Sequence, residues 1–385
     1  MYYRQLGKIP HKRHTMFKKE DGTLYREQVM GTKGFSGTQS ILYHHYLPTE
    51  VVKSTVLGSY LPEYEEQAEA PLNHRHLLTT AIETKGDALK AREYLLGNSD
   101  LLIGTIYVTE PMESYYRNGD GDEVLYIHFG TGKVETMFGT ITYRPGDYVT
   151  IPIGTIYRVI PNEDTKILFI ESFSQITTPR RYRNEYGQML EHSPFCERDF
   201  RGPETLETYD EKGEFEVITK SRGYMHSHIL GHHPLDVVGW DGYLYPWVFN
   251  IEDFEPITGR VHQPPPVHQT FEGHNFVVCS FVPRLYDYHP EAIPAPYYHS
   301  NVNSDELLYY VEGNFMSRKG IKEGSITLHP SGIPHGPHPG TTEASIGKKE
   351  TLELAVMIDT FKPLKVVKKA HDVEDNNYMY TWIEK

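Results

Sequence analysis

The sequence predicts an all-β protein made of two similar barrels in tandem, with few short helices. Its apolar segments are short and rich in β-branched and aromatic residues. Turn-forming residues interrupt them roughly every 8–12 residues, a spacing that is typical of sandwiches and barrels. In addition, one β motif occurs twice in the chain, which indicates a duplicated unit.

Eight segments carry the strongest strand pattern, because their residues are apolar and either β-branched or aromatic. These segments are 101–110, 124–130, 148–153, 157–160, 167–172, 276–282, 307–313 and 352–358. Helical periodicity is weak by comparison. The best helix candidates are 65–70 and 86–97.

The repeated motif decides the predicted architecture. DEVLYIHFG at 122–130 aligns with DELLYYVEG at 305–313, an offset of 183 residues. In both copies an acidic residue opens an apolar strand that ends at glycine, and further strands with Gly/Pro turns follow. We therefore expect 1–205 to form an N-terminal arm and a metal-free barrel. Residues 206–385 are expected to form linker strands and a metal-binding barrel.

Composition and charge argue against several classes of protein. A formal net charge of −14 over 385 residues is unsuited to nucleic acid, whose phosphates require a concentrated basic surface. No apolar run approaches the roughly 20 residues of a membrane span, and the first residues lack the apolar core of a signal peptide. The two cysteines provide no disulfide framework. We expect a cytoplasmic protein that binds neither nucleic acid nor membrane.

The two copies of the motif differ in residues that can bind a metal. The second copy has His299 before Glu306 and His335 after it. The first copy keeps the acid but has Tyr116 and Tyr157 at the positions of the two histidines. Two imidazoles and one carboxylate suit non-haem Fe(II), which keeps positions open for a substrate and O₂. A Zn²⁺ site of the same residues is the main competitor, and Mn²⁺ is a third choice.

The predicted geometry of this site is simple. We expect His299 on one strand, a turn at 303–305, Glu306 at the start of the neighbouring strand, and His335 on a later strand. Asp305 is a rival ligand because it is adjacent to Glu306. Glu306 is preferred, since it precedes its glycine by the same distance as the acid of the first copy.

Other histidines are interpreted separately. The proline-rich segment 259–271 holds His262 and His268 and predicts a rigid loop at a barrel mouth. A neutral histidine there can take a proton from a substrate hydroxyl, although a loop histidine bonded to backbone is the simpler alternative. His329 and His338 can each orient a ligand. We interpret the remaining candidates as structural or surface residues: His74, His76, His232, His233, His274, His289 and the histidine-rich run 225–233.

Several stretches spread over most of the chain carry a family resemblance. They are IPHKRHTMF (9–17), DGTLYREQVMGTKGFSGTQSILYH (21–44), NGDGDEVLYIHFG (118–130), HPLDVVGWDGYLYPWVFNIEDF (233–254), YYHSN (297–301), EGNF (312–315) and PHGP (334–337). In this combination the chain resembles the homogentisate 1,2-dioxygenases, in particular a bacterial branch of that family. The resemblance implies a bicupin, in which each barrel is a cupin-like double-stranded β-helix.

The resemblance also implies roles for individual residues. The family's Fe(II) ligands fall on His299, Glu306 and His335, and His335 would also contact the substrate. The family's acid/base histidine falls on His262. Its paired tyrosines fall on Tyr297 and Tyr298, which would line the pocket. The family often assembles as trimers or hexamers, so a homo-oligomer is expected.

The implied reaction is ring cleavage. Homogentisate (2,5-dihydroxyphenylacetate) and O₂ would give maleylacetoacetate in tyrosine and phenylalanine catabolism, with both oxygen atoms in the product and no organic cofactor. Two departures matter. Six residues separate His299 from Glu306, where the family has five, and this keeps Asp305 as an alternative ligand. Phe315 stands where the family commonly has tyrosine, so the side arm of the substrate would be held differently.

Two alternative functions stay open. One is a related ring-cleaving dioxygenase that acts on gentisate, salicylate or a hydroquinone. The other is a bicupin that binds a metal but performs no oxidation.

Overall fold

The computed structural model describes residues 2–66, 71–313, 315, 318 and 320–383. Almost all of its regular structure is β, which confirms the predicted fold class. In this part of the chain the one α-helix is Thr341–Ser345. The 3-10 helices are Lys33–Phe35, Thr79–Ala81, Arg180–Tyr182, Glu197–Asp199, Ile251–Asp253, Pro265–His268, Lys368–Val373 and Tyr378–Trp382. None of the described helices is long and apolar enough to cross a membrane.

Two large sheets enclose the first barrel. In spatial order, the eight-stranded sheet comprises Phe200–Arg201, Trp247–Asn250, Asp147–Ile151, Asp122–Phe129, Thr165–Ser172, Leu101–Val108, Arg92–Gly97 and Lys365–Val366. The seven-stranded sheet comprises Gly139–Tyr143, Gly132–Thr136, Ile156–Pro161, Tyr115–Asn118, Lys212–Ser221, Tyr224–His232 and Val51–Ser59. An apolar core fills the space between them, with side chains from both sheets.

Three further sheets complete the molecule. The six-stranded sheet of the second barrel comprises Gln269–Gly273, Phe276–Phe281, Leu354–Thr360, Asp305–Glu312, Ser325–His329 and Arg75–Leu78. A four-stranded sheet comprises Arg4–Gly7, Val237–Gly242, Gln39–His44 and Arg26–Gly31. A two-stranded sheet pairs Arg284–Leu285 with Glu350–Thr351.

All eight predicted strands occur in the structure, but the predicted helix at 86–97 is wrong. A turn leads into the strand Arg92–Gly97, which pairs antiparallel with Leu101–Val108. That neighbour satisfies the backbone hydrogen bonds, so tertiary pairing overrides the local helix propensity. The second helix prediction, 65–70, cannot be compared as a whole because 67–70 lie outside the described residues.

Alternation along the strand Asp122–Phe129 shows how the barrels pack. Leu125 and Ile127 point into the core of the first barrel. Val124 and Tyr126 point the other way, into the largest core cluster, which includes side chains of the six-stranded sheet. Since successive side chains of a strand face opposite sides, one strand serves both cores.

Strands cross between the two halves of the chain. Arg75–Leu78 joins the six-stranded sheet beside Ser325–His329. Lys365–Val366 joins the eight-stranded sheet beside Arg92–Gly97. Each half therefore completes a sheet of the other, and the division at residue 205 stays a prediction.

The sequence repeat is visible as a repeat of strand pairing. Glu123 is paired with Ile151 on one side and Glu171 on the other. At the same positions of the second copy, Glu306 is paired with His329 and Asp359.

The tyrosines and histidines that distinguish the copies are also paired in the same way. Tyr116 lies opposite Tyr157 in an antiparallel pair. His299 lies opposite His335 in an antiparallel bridge. The alignment made from the sequence therefore matches positions that are equivalent in space.

A guanidinium group occupies the centre of the first barrel. Arg92 forms ion pairs with both Glu123 and Glu171, and their side chains are at most 5% exposed. The Tyr157 hydroxyl donates a hydrogen bond to Glu123 Oε2 over 2.7 Å, and Lys220 forms an ion pair with Glu171. The two buried acids are thus neutralised by two cations of the chain itself.

We predict that Arg92→Met lowers the free energy of unfolding by about 3–5 kcal/mol, because removal of one partner leaves a buried charge uncompensated. Urea titration followed by fluorescence measures the change. Tyr157→Phe, which removes one hydrogen bond from the same carboxylate, is the control and is expected to cost about 1 kcal/mol. Equal losses in the two variants would contradict a special role for the guanidinium.

A candidate metal centre and its cavity

Two loops and one strand bring His299, Glu306 and His335 together. The two histidines form a single β-bridge, with both N–H···O distances at 2.9 Å. Glu306 is the second residue of the strand Asp305–Glu312. The prediction that His299 and His335 lie on strands is wrong. Prolines at 296, 334 and 337 remove backbone donors from both segments, and this limits the ladder to one bridge.

The donor atoms of these three side chains converge. His299 Nε2 lies 3.5 Å from Glu306 Oε2, and His335 Nε2 lies 3.3 Å from Glu306 Oε1. One potential ligand atom from each residue lies within 4.8 Å of the other two. His335 and Glu306 are buried, whereas the side chain of His299 is 27% exposed. The site is therefore closed on one side and open on the other.

The surrounding histidines keep Glu306 ionised. Burial alone would raise its pKa, but the close contacts with His299, His329 and His335 outweigh this effect and hold the pKa of Glu306 well below its ordinary value. The hydrogen bond to Glu306 raises the pKa of His299. The centre therefore presents a carboxylate rather than a carboxylic acid.

The residues fit a divalent transition-metal ion. Among the described residues, neither buried ring nitrogen of His335 has a hydrogen bond of normal geometry, and Nε2 lies 3.3 Å from Glu306 Oε1. An unsatisfied buried nitrogen is costly, and coordination of a cation would satisfy it. Two imidazoles and one carboxylate leave several coordination positions free, as Fe(II) requires for O₂ chemistry and as Zn²⁺ also tolerates.

Asp305, the alternative ligand, does not belong to this cluster. Its two carboxylate oxygens accept hydrogen bonds from the backbone N–H groups of Ser331 at 2.8 Å and Leu364 at 2.7 Å. As the neighbour of Glu306 on the same strand, it points to the opposite face.

His329 supports Glu306 from behind. Its Nδ1 lies 2.9 Å from Glu306 Oε1, and its Nε2 lies 3.2 Å from the Tyr378 hydroxyl. Burial lowers the pKa of His329 to about 3, so the ring is neutral. In that state, Nδ1–H can donate to the carboxylate while Nε2 accepts from the tyrosine. The sequence left the role of His329 ambiguous, and no pattern drew attention to Tyr378.

More side chains from distant segments enclose the centre. His74 packs edge-on against His329 and His335, and its Nε2 contacts the Pro334 carbonyl oxygen at 3.1 Å. A structural role, as predicted, is consistent with these contacts. His338 Nε2 lies 2.6 Å from Thr381 Oγ1, and its ring stacks on that of Trp382.

A cavity of about 480 Å³ opens onto the candidate metal centre. Its apolar wall includes Phe281, Leu308, Phe315 and Met357. An enclosure of this size, with mostly apolar walls and a few polar groups, suits a small ring-shaped ligand.

Three residues are predicted to contact the substrate. One of them, Tyr297, lines the cavity, as does the predicted metal ligand His299. Tyr298 is 60% exposed, lies against Gly336 and does not line the cavity, and neither does His335. Direct substrate contact through Tyr298 and His335 stays a prediction.

His262 lies in the cavity wall, where a proton acceptor is useful. Its Nδ1 is 3.7 Å from Asp287 Oδ2, its ring packs edge-on against Tyr297 at 5.0 Å, and its side chain is 44% exposed. His268 also lines the cavity, but it is buried against Phe281, and burial lowers its pKa to about 3.

Comparison with known families gives a consistent result along the chain. The family model for the homogentisate 1,2-dioxygenase N-terminal region matches residues 82–251. The model for the C-terminal region of the same family matches residues 255–384.

Individual relatives differ in their similarity. A protein of Saccharolobus solfataricus, classed provisionally as a dioxygenase, is 42% identical over 386 residues, which are 99% of each chain. The homogentisate 1,2-dioxygenase of Rhizobium rhizogenes is 27% identical over 298 residues, 72% of this chain and 64% of the relative. That of Nitrobacter hamburgensis is 28% identical over 290 residues, 70% and 63% of the two chains. The chain thus spans slightly less than two thirds of the last two proteins.

Solved structures with a partial likeness are a cupin 2 conserved barrel domain protein from Leptotrichia buccalis and a glyoxylate-induced protein from Pseudomonas aeruginosa. The first is 11% identical with a TM-score of 0.33, over 82% of this chain and 99% of the other. The second is 11% identical with a TM-score of 0.36, over 78% of this chain and 95% of the other.

The two family models together cover most of the chain, residues 82–251 and 255–384. The chain therefore belongs to the homogentisate 1,2-dioxygenase family.

Proposed function

We propose that the protein is an Fe(II)-dependent dioxygenase that opens the ring of homogentisate and places both atoms of O₂ in the product, maleylacetoacetate. The observation that carries this proposal is the convergence of His299, Glu306 and His335 on one point at the wall of a largely apolar cavity. Assembly into trimers or hexamers and a cytoplasmic location remain predictions from the sequence.

His299, Glu306 and His335 would hold the iron. When bound, Fe(II) supplies the means to activate O₂ and to polarise a phenolic oxygen of the substrate. The chain's part is to keep the carboxylate ionised and correctly turned. His329 does this at 2.9 Å from Glu306, and the Tyr378 hydroxyl orients His329 in turn.

His262 is proposed to accept the proton of a substrate hydroxyl. Asp287 lies near Nδ1, which favours the tautomer with a proton there and leaves Nε2 free to act as the base. The edge-on contact with Tyr297 fixes the plane of the ring.

A related ring-cleaving activity on gentisate, salicylate or a hydroquinone is the second candidate. Phe315 favours it, because this buried side chain lines the cavity and packs against Tyr310 at 4.5 Å without offering a hydroxyl. The substrate arm must therefore find another donor in this protein.

The direct test of the proposed reaction is anaerobic loading with Fe(II), followed by O₂ uptake with homogentisate and gentisate side by side. Homogentisate is expected to consume one O₂ per ring opened, and ¹⁸O₂ is expected to label the product with two atoms. One labelled atom or none would refute the dioxygenase, and faster turnover of gentisate would select the second candidate.

We predict that His299→Ala and His335→Ala each abolish stoichiometric iron binding, because two ligands of the set cannot hold the ion with the geometry of three. Metal analysis after gel filtration measures this. His192→Ala, which changes an exposed histidine, is the control and is expected to bind iron as the unchanged protein does. Full iron content in both ligand variants would contradict the assigned centre.

We predict that His262→Gln lowers kcat by about 10²–10⁴-fold while the iron content stays unchanged, since the variant loses a general base but no ligand. Asp287→Asn is expected to have a smaller effect on kcat, because it removes the group that orients His262 and leaves the imidazole in place. Steady-state O₂ uptake and metal analysis provide both readouts. Activity of His262→Gln equal to that of the unchanged protein would exclude its role as the base.

A further inference from the structure

Arg284 brings a positive charge to the cavity wall. It belongs to the short strand Arg284–Leu285, which pairs with Glu350–Thr351, and its side chain lines the same cavity as His299 and Glu306. The guanidinium lies over the ring of Phe281, with 5.5 Å between the Cζ atom and the ring centroid. A cation is thus held beside the reaction site on an aromatic support.

Among the described residues, this guanidinium has one hydrogen-bond acceptor. Nη1 donates to the Val282 carbonyl oxygen over 3.2 Å, and a guanidinium has five N–H donors. Among the described residues, no carboxylate lies within 4.0 Å of it. Asp287 and Glu353, which line the same cavity, act on it only at longer range.

Two buried arginines in the described part of the chain have carboxylate partners. Arg75 pairs with Glu65 and Glu374, and Arg92 pairs with the two acids of the first barrel. Burial lowers the pKa of Arg284, which reflects the cost of keeping this charge away from water. Arginine stays charged in neutral solution despite such a shift. An anion in the cavity would offset that cost.

Two other side chains of the cavity wall are less suited to bind an anion. The side chain of Phe315 has no hydrogen-bond donor. Arg318, the second guanidinium of the cavity, donates to the Gly336 carbonyl oxygen over 2.6 Å and stands over the Trp382 ring. Its hydrogen bond to Gly336 therefore holds Arg318 against the loop that carries His335.

We propose that Arg284 binds the carboxylate of the substrate and so makes the site selective for an acidic dihydroxy-aromatic ring over the same ring without an acid. The planar fork of a guanidinium can donate two parallel hydrogen bonds to a carboxylate, which fixes the ring's direction as well as its charge. This inference rests on the proposed function, because it takes the ring to be the ligand of the cavity.

The test is anaerobic calorimetric titration of the Fe(II)-loaded protein with homogentisate and, separately, with methylhydroquinone, which is the same ring without the carboxylate. The unchanged protein is expected to bind homogentisate at least about tenfold more tightly. In Arg284→Gln, the affinity for homogentisate is expected to fall by about 10–100-fold, as for a lost charge-assisted hydrogen bond. The affinity for methylhydroquinone is expected to stay the same, and the preference therefore disappears.

Two control variants separate charge from folding. Arg284→Lys keeps the charge but not the fork, and should retain part of the preference. Arg117→Gln removes a guanidinium that donates to Thr219 Oγ1 in the seven-stranded sheet, outside the cavity, and should retain all of it. Iron content and circular dichroism are measured for each variant.

The outcomes distinguish this inference from the proposed function. A preference for homogentisate that survives in Arg284→Gln, or that is absent from the unchanged protein, would overturn the role of Arg284 and leave ring binding intact. Binding of neither compound to the unchanged protein would overturn the proposed function itself.

Discussion

A carboxylate buried inside a barrel needs a positive partner, and the two barrels of this chain meet that need in different ways. In the first barrel Glu123 is neutralised by the guanidinium of Arg92, and Glu171 shares the same cation. In the second barrel Glu306 has three histidines around it and no arginine or lysine within ion-pair distance among the described residues. The neutral ring of His329 supplies no full positive charge, so a cation bound between Glu306 and the other two histidines would complete the charge balance of the second centre. One pairing scheme thus supports a closed structural core in one copy and a candidate reactive centre in the other.

The position of Glu306 depends on parts of the chain that are far apart in sequence. The strand Arg75–Leu78 enters the second barrel from the N-terminal half and carries His74 beside it. The C-terminal segment brings Tyr378 to the back of His329. These groups restrict the rotation of the carboxylate and of His335, which a centre with open coordination positions requires. The exchange of strands between the two halves of the chain therefore helps to position the side chains of the candidate metal centre.

Local patterns were enough to predict the β-strands and to single out three side chains that the fold brings together, although not that His299 and His335 lie in loops. Residues with strand preference alternate in short segments, and the substitution of Tyr116 and Tyr157 for histidine is visible by aligning the two copies. Other features depend on tertiary contacts that no local pattern encodes. Arg92 lies in a segment with helical preference, yet it forms a strand because Leu101–Val108 pairs with it. The single bridge between His299 and His335 and the arrival of Tyr378 depend on how distant loops meet.

The most direct test of this account is the metal content per folded chain of two matched variants, Glu306→Gln and Glu123→Gln, each loaded anaerobically with Fe(II). The two acids occupy equivalent positions in the two barrels. The account predicts about one iron in the unchanged protein and in Glu123→Gln, and essentially none in Glu306→Gln. Iron retained by Glu306→Gln, or lost from a folded Glu123→Gln, would contradict it.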